Sequence, residues 1–191
     1  MRRILVLVGV AIFALVGTMA WAAEFEITPA IQKQIDQYTK MSEKWAADSV
    51  VVKAVVAQNK KGPIPGMDNP KWKTVSKDDP IVKGFQTNAG GKFLKKKCEA
   101  AKTCVGAFLN AAQGEKVAFT DKTSSYIHKG AAKFDVPFTT EKPWQGKPEY
   151  EEDLKAHLLQ VSVPVLSDGK PIGALVVEMN LTKLAKSGKK K

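Results

Sequence analysis

Residues 158–180, LLQVSVPVLSDGKPIGALVVEMN, decide the fold class. Two apolar runs flank Asp168-Gly169, a dipeptide suited to the positive backbone angles of a tight turn, with Ser167 before it and Lys170-Pro171 after it. In the first run His157, Leu159, Val161, Val163 and Val165 point one way, and Leu158, Gln160, Ser162, Pro164 and Leu166 point the other. Pro164 has no amide to donate, so it marks an edge, a bulge or a frayed strand end. The second run, residues 172–179, is apolar on both faces until Glu178. A hairpin this apolar must be covered on at least one face, which places it in the central sheet of a domain.

Upstream the period changes. Thr28-Pro29 is a helix start, a hydroxyl cap followed by a proline whose missing donor costs nothing at the first helical position. Ile31, Ile35, Tyr38, Met41 or Ser42, Trp45, Val52 and Val56 then recur at mostly three- and four-residue steps, which predicts a long amphipathic helix over residues 29–59. Asp48-Ser49 is the place for an interruption, since both residues favour caps over helix interiors. Packing along its own sheet is the simpler role for this helix, with a coiled-coil dimer as the alternative. Gly62-Pro63-Ile64-Pro65-Gly66 ends it, and the excursion that follows has one large anchor, Trp72. Residues 81–97 suit a short helix weakened by Gly84, Gly90 and Gly91. Residues 105–109 and 116–119 read as strands around Gln113-Gly114, and residues 121–142 as a polar loop with a short helix crossing one face of the sheet. Strands in hairpins beside a long helix make the class α+β.

The N-terminus bounds the compartment. Met1-Arg2-Arg3 precedes an uncharged stretch over residues 4–20 and the small-residue exit Ala20-Trp21-Ala22, the pattern of a secretory signal cleaved after Ala22. An uncleaved membrane anchor is the alternative, and either way the rest of the chain is expected in the periplasm. The expected division is a signal peptide over 1–22, one domain over 23–182 and a disordered lysine-rich tail over 183–191. Loss of Arg2 and Arg3 lowers the formal charge from +11 to +9. Export excludes nucleic acid as the partner, which leaves solubility, an acidic envelope protein or an anionic ligand as uses for the charge.

Cys98 and Cys104 are the two cysteines. An oxidising compartment favours a disulfide over a redox or metal role, and no histidine stands at zinc-site spacing. Residues six apart on a continuous helix rise about 9 Å, too far to bridge, so a bond requires the backbone to turn between them. No nucleophile elbow, metalloprotease pair or phosphate loop is present, so an enzyme is not expected. No metal and no cofactor is expected either.

The order of parts carries a resemblance. Residues 44–55, KWAADSVVVKAV, stand in the long helix, and residues 105–120 with Gln113-Gly114 come later. Asp121-Lys122-Thr123-Ser124-Ser125-Tyr126 follows directly, then Val161-Ser162-Val163-Pro164-Val165 and Gly169-Lys170-Pro171-Ile172-Gly173. Together these resemble the periplasmic PAS-like sensor domains of the PDC/Cache type. The resemblance implies an antiparallel sheet of five or six strands, the long helix on one face and a pocket roofed by the polar crossing on the other. It implies a small-molecule ligand: a carboxylate, an amino acid or an amine.

On that fold Tyr126, His128 and Lys133 lie on the crossing, while Trp144, Tyr150 and Glu151 precede the long strand and would close the pocket. Core packing is the competing role for Tyr126 and Trp144, and a solvated lysine for Lys133. His157 is either a hydrogen-bonded interior histidine or a pocket wall. Such domains feed a membrane sensor, yet only the lysine tail follows residue 182, so no signalling output is assigned. A cationic interaction subunit docking an acidic envelope or redox partner is the alternative function.

Overall fold

The computed structural model describes residues 25 to 188; the expected signal segment lies outside the described residues. Helix α1, Pro29–Ala46, starts where Thr28 Oγ1 accepts a hydrogen bond from Ile31 N at 3.4 Å. The predicted long helix breaks at Asp48, whose carboxylate caps α2, Ser49–Lys61, by accepting from Val50 N at 3.0 Å. Three short helices follow, each capped by an Asp or Asn: α3, Asn69–Thr74, α4, Pro80–Thr87, and α5, Ala89–Ala100. Gly91 allows the corner between α4 and α5. A Cβ there would stand 2.4 Å from the carbonyl oxygens of Phe85 and Gln86. The predicted single helix over 81–97 is therefore two.

The sheet follows: β1, Cys104–Ala111, β2, Lys116–Phe119, then helix α6, Ala132–Thr140, the short strands β3, Trp144–Gln145, and β4, Glu149–Glu151, and the long pair β5, Ala156–Ser167, and β6, Lys170–Asn180. All pairs are antiparallel in the order β2-β1-β6-β5-β3, with β4 also on β5. Asp168 and Gly169 turn the central hairpin with φ of 51° and 74°, the angles expected of a two-residue turn. Beyond Ser162 the β3 side of β5 is open, and there Pro164 stands, next to a bulge at Val165 and Leu166.

Alternation along the strands separates two cores. Leu159, Val161, Val163 and Val165 of β5, Leu175, Val177 and Met179 of β6 and Leu109 of β1 pack with Ile35, Trp45, Val51, Val55 and Leu94 of the helices. Each such side chain contributes about 1.5–3 kcal/mol relative to exposure, so helix against own sheet is what holds α1 and α2 in place. The other face holds Trp72, Val82, Phe108, Phe119, Tyr126 and Val176, with α6 lying over β5 and β6.

The chain end corrects the sequence reading. Residues expected in a disordered tail from Lys183 onward form α7, Leu181–Gly188. Leu181 and Leu184, one turn apart, are buried in the helix-side core, and Asn180 Oδ1 accepts from Lys183 N at 2.8 Å to start the helix. Lysine content alone gave the wrong answer because Lys183 and Lys186 are exposed while Leu181 and Leu184 are buried. Cys98 and Cys104 are bonded, with a Cα separation of 5.0 Å. The required turn comes after α5, at Lys102 with φ 55°. Among the described residues no helix is long and apolar enough to cross a membrane.

Candidate functional site

The second face of the sheet carries a polar row that the helix face lacks. Asn110 on β1 stands opposite Lys116 on β2 and Ala174 on β6, and Phe108 is two residues back along β1. Gln160 and Ser162 of β5 and Glu178 of β6 continue the row across the sheet. The chain between β2 and α6 brings His128 over this floor, its ring 4.8 Å from that of Phe108, and α6 adds Lys133.

Four polar atoms in this row are buried without a hydrogen-bond partner: Asn110 Oδ1, Lys116 Nζ, His128 Nδ1 and Ser162 Oγ. Buried polar groups are ordinarily satisfied, so four orphans on one patch mark a place built for something else. Lys116 stands out, fully buried with its Nζ 3.4 Å from the Phe108 ring centroid. It makes no salt bridge; among the described residues the ion pair present joins Lys83 and Asp78 at the surface. Burial holds the Lys116 ammonium well below the usual lysine range, and the Lys133 charge adds to that. His128 is pushed down to about 3 by burial, then by Lys116 and Lys133, so its imidazole is neutral at physiological pH.

A cavity of about 260 Å³ at the β3 and β4 edge of the sheet is lined among others by Lys133, Trp144, Leu158, Leu159, Gln160 and Glu178, and none of the residues that carry the four orphaned atoms lines it. Lys133 Nζ donates to Gln160 Oε1, and Gln160 Nε2 donates to Glu178 Oε1 at 2.8 Å, so one amide bridges a cation and an anion across the floor. Among the described residues no group of three or more His, Cys, Asp and Glu is placed to hold a metal.

The crossing above the patch is pinned from outside. Asn69 of α3 donates through Nδ2 to Ile127 O at 2.9 Å and accepts at Oδ1 from Tyr126 N and Ile127 N at 2.9 and 2.8 Å. Trp72 Nε1 donates to Thr123 O at 2.7 Å, and Tyr126 Oη accepts from Ile64 N at 2.9 Å. His128 N in turn donates to Gly114 O at 2.8 Å, which sets the ring over the sheet. The breaker-rich excursion after α2 is therefore the brace of the roof.

Solved structures share this fold. The sensor domain of the Vibrio cholerae histidine kinase DctB superposes with a TM-score of 0.55 at 15% identity, over 85% of this chain and 54% of that one. The Escherichia coli DcuS sensor domain gives 0.52 at 9% identity, over 83% and 97%. The chain has the sensor-domain fold. The ligand-binding domain of the Pseudomonas aeruginosa amino acid chemoreceptor PctC, solved with GABA, gives 0.50 at 14% identity, over 82% and 58%. The chain thus spans little more than half the length of the DctB and PctC domains and nearly all of the DcuS domain. No protein-family model and no curated protein matches the sequence. The PDC/Cache-type architecture implied by the resemblance, a six-stranded antiparallel sheet with the N-terminal helices on one face, is the one observed.

Within the sensor-domain fold the seven residues singled out from sequence go to three places. His128 and Lys133 lie on the crossing side of the sheet beside the orphaned patch, and Lys133 and Trp144 line the cavity at the β3 edge. Tyr126 goes to the apolar core beside Trp72 and Phe85, its hydroxyl spent on Ile64. Tyr150 and His157 pair across β4 and β5, with the Phe25 ring tilted against the imidazole, and Glu151 is exposed at the end of β4. His157 shares its strand face with Leu159, the face opposite to Gln160 and Ser162. Lys116, Asn110 and Ser162 were not singled out. The available signal was a lysine within the apolar strand KVAF, where a buried cation has no structural use.

Proposed function

We propose that this chain is an extracytoplasmic binding domain for a small carboxylate, held at Lys116 beneath the crossing. The observation that carries the reading is the wholly buried Lys116 Nζ with no acceptor, in a row with three further unsatisfied polar atoms. Leaving a buried amine unpaired costs about 1–3 kcal/mol, more when it is charged, and an oxyanion removes that cost. Asn110 Oδ1 is an acceptor, so the fitting ligand also carries a donor, a hydroxyl or an ammonium group. Action outside the cytoplasm is supported by the Cys98–Cys104 bond. Binding of GABA by PctC supports the class and does not choose the member.

A thermal-shift screen over small carboxylates, amino acids and amines tests this. A ligand present at 100 times its Kd stabilises the folded state by about 2.7 kcal/mol. Carboxylates are expected to raise Tm in the native protein and to have no effect in Lys116→Met. Stabilisation by amines that lack a carboxylate, or an undiminished shift in the variant, would count against the assignment. The second reading, a cationic subunit docking an acidic partner, draws on exposed Lys92, Lys95 and Lys96 of α5. Capture that is insensitive to salt would exclude it.

A further inference from the structure

The following rests on the anion site just proposed. Lys116 is enclosed on every side, and the groups that face it carry no compensating charge. Phe108 and Asn110 face it from β1, the neutral His128 from the crossing and the cationic Lys133 from α6. Glu178 on β6 is engaged by Gln160, and Glu115, next in the chain, takes Gln113 N on Oε2 at 3.1 Å, keeps a buried Oε1 without a partner and makes no salt bridge. An ammonium in such a place loses its water and gains only the face of one ring, which returns less than the hydration it gave up. The amine is therefore uncharged while the site is empty.

We infer that the site takes up its carboxylate together with one proton, which ends on Lys116 Nζ. The accounting is simple. The Nζ lone pair accepts a proton from solvent or from the acid form of the ligand, and the ammonium so formed donates to the carboxylate oxygen. His128, held between Phe108 and Lys133, stays neutral, and no other group changes charge. The pair enters the protein with no net change in charge at the buried site, which is what a low-dielectric pocket accepts most readily. Affinity for the anion then depends on pH even though the ligand is fully ionised throughout.

Calorimetric titration of the purified protein with acetate and with GABA, in phosphate and in Tris at pH 7, measures the proton directly. The apparent enthalpy is expected to vary with buffer ionisation enthalpy with a slope of one proton taken up per ligand bound. Kd should then rise about tenfold for each unit of pH. Binding with a slope of zero would overturn the inference and leave the carboxylate site standing. The second arm needs no ligand: nitrogen NMR of lysine side chains in the empty protein is expected to show Lys116 as a neutral amine at pH 7. A Lys116 ammonium that titrates in the ordinary lysine range overturns the inference even if neither acetate nor GABA binds, whereas failure of both to bind tells against the carboxylate reading alone.

Discussion

Replacing His128 by glutamine should alter how stability responds to acid. The imidazole is 8% exposed, and its burial beside Lys116 and Lys133 lowers it to about 3, against about 6.5 in an unfolded chain. The unfolded protein therefore binds the extra proton first. Between about pH 6.5 and 3 the unfolded state holds more protons than the folded one, so stability falls as pH falls through this window and is unaffected above it. Each unit of pH is worth about 1.4 kcal/mol, so moving from pH 7 to pH 5 costs the native protein about 2 kcal/mol that His128→Gln does not lose. Carboxylates titrate in both proteins and cancel in the difference. Urea unfolding at half-unit steps from pH 4 to pH 8 would give that difference directly. If the native and variant curves run parallel over this range, the imidazole is ionising freely in the fold, and the account of a dry patch around it fails.

Other consequences are more local. Trp72→Ala should cost about 3–5 kcal/mol in denaturant unfolding, because the ring is fully buried among Phe85, Phe119 and Tyr126. Asn69→Ala removes three hydrogen bonds to the crossing and is expected to lower stability by about 2–3 kcal/mol and to expose residues 121–131 to protease; unchanged cleavage would show that α3 is not the brace. Reduction of Cys98–Cys104 frees only a short loop, so the loss should be about 2 kcal/mol, read as a lower Tm in dithiothreitol.

The periodicities legible in the chain carried most of the fold. The two-residue period of the hairpin, the positive-φ requirement of Asp168-Gly169 and the break at Asp48 are local effects, written in neighbouring residues and unchanged by whatever packs around them. The tail failed by the same standard, since Leu181 and Leu184 make α7 because α1, β5 and β6 offer them a surface. The site divides the same way. His128 and Lys133 stand on a polar crossing whose position over the sheet follows from the order of elements, and both were legible. His157 meets Phe25 and Tyr150, contacts that could not be read in advance, because a strand position fixes which face a side chain takes without saying what covers that face.

By itself the sequence determined which residues alternate, turn and cap, because those choices depend on backbone angles and nearest neighbours. Only the tertiary structure decided that Lys116, on a strand of four residues, is sealed beneath the crossing with no counter-charge. Burial and charge balance are sums over elements far apart in the chain: β1 and β2, the brace from α3, and α6. A lysine reads the same in sequence whether water or a phenyl ring surrounds it, and its chemistry depends on which.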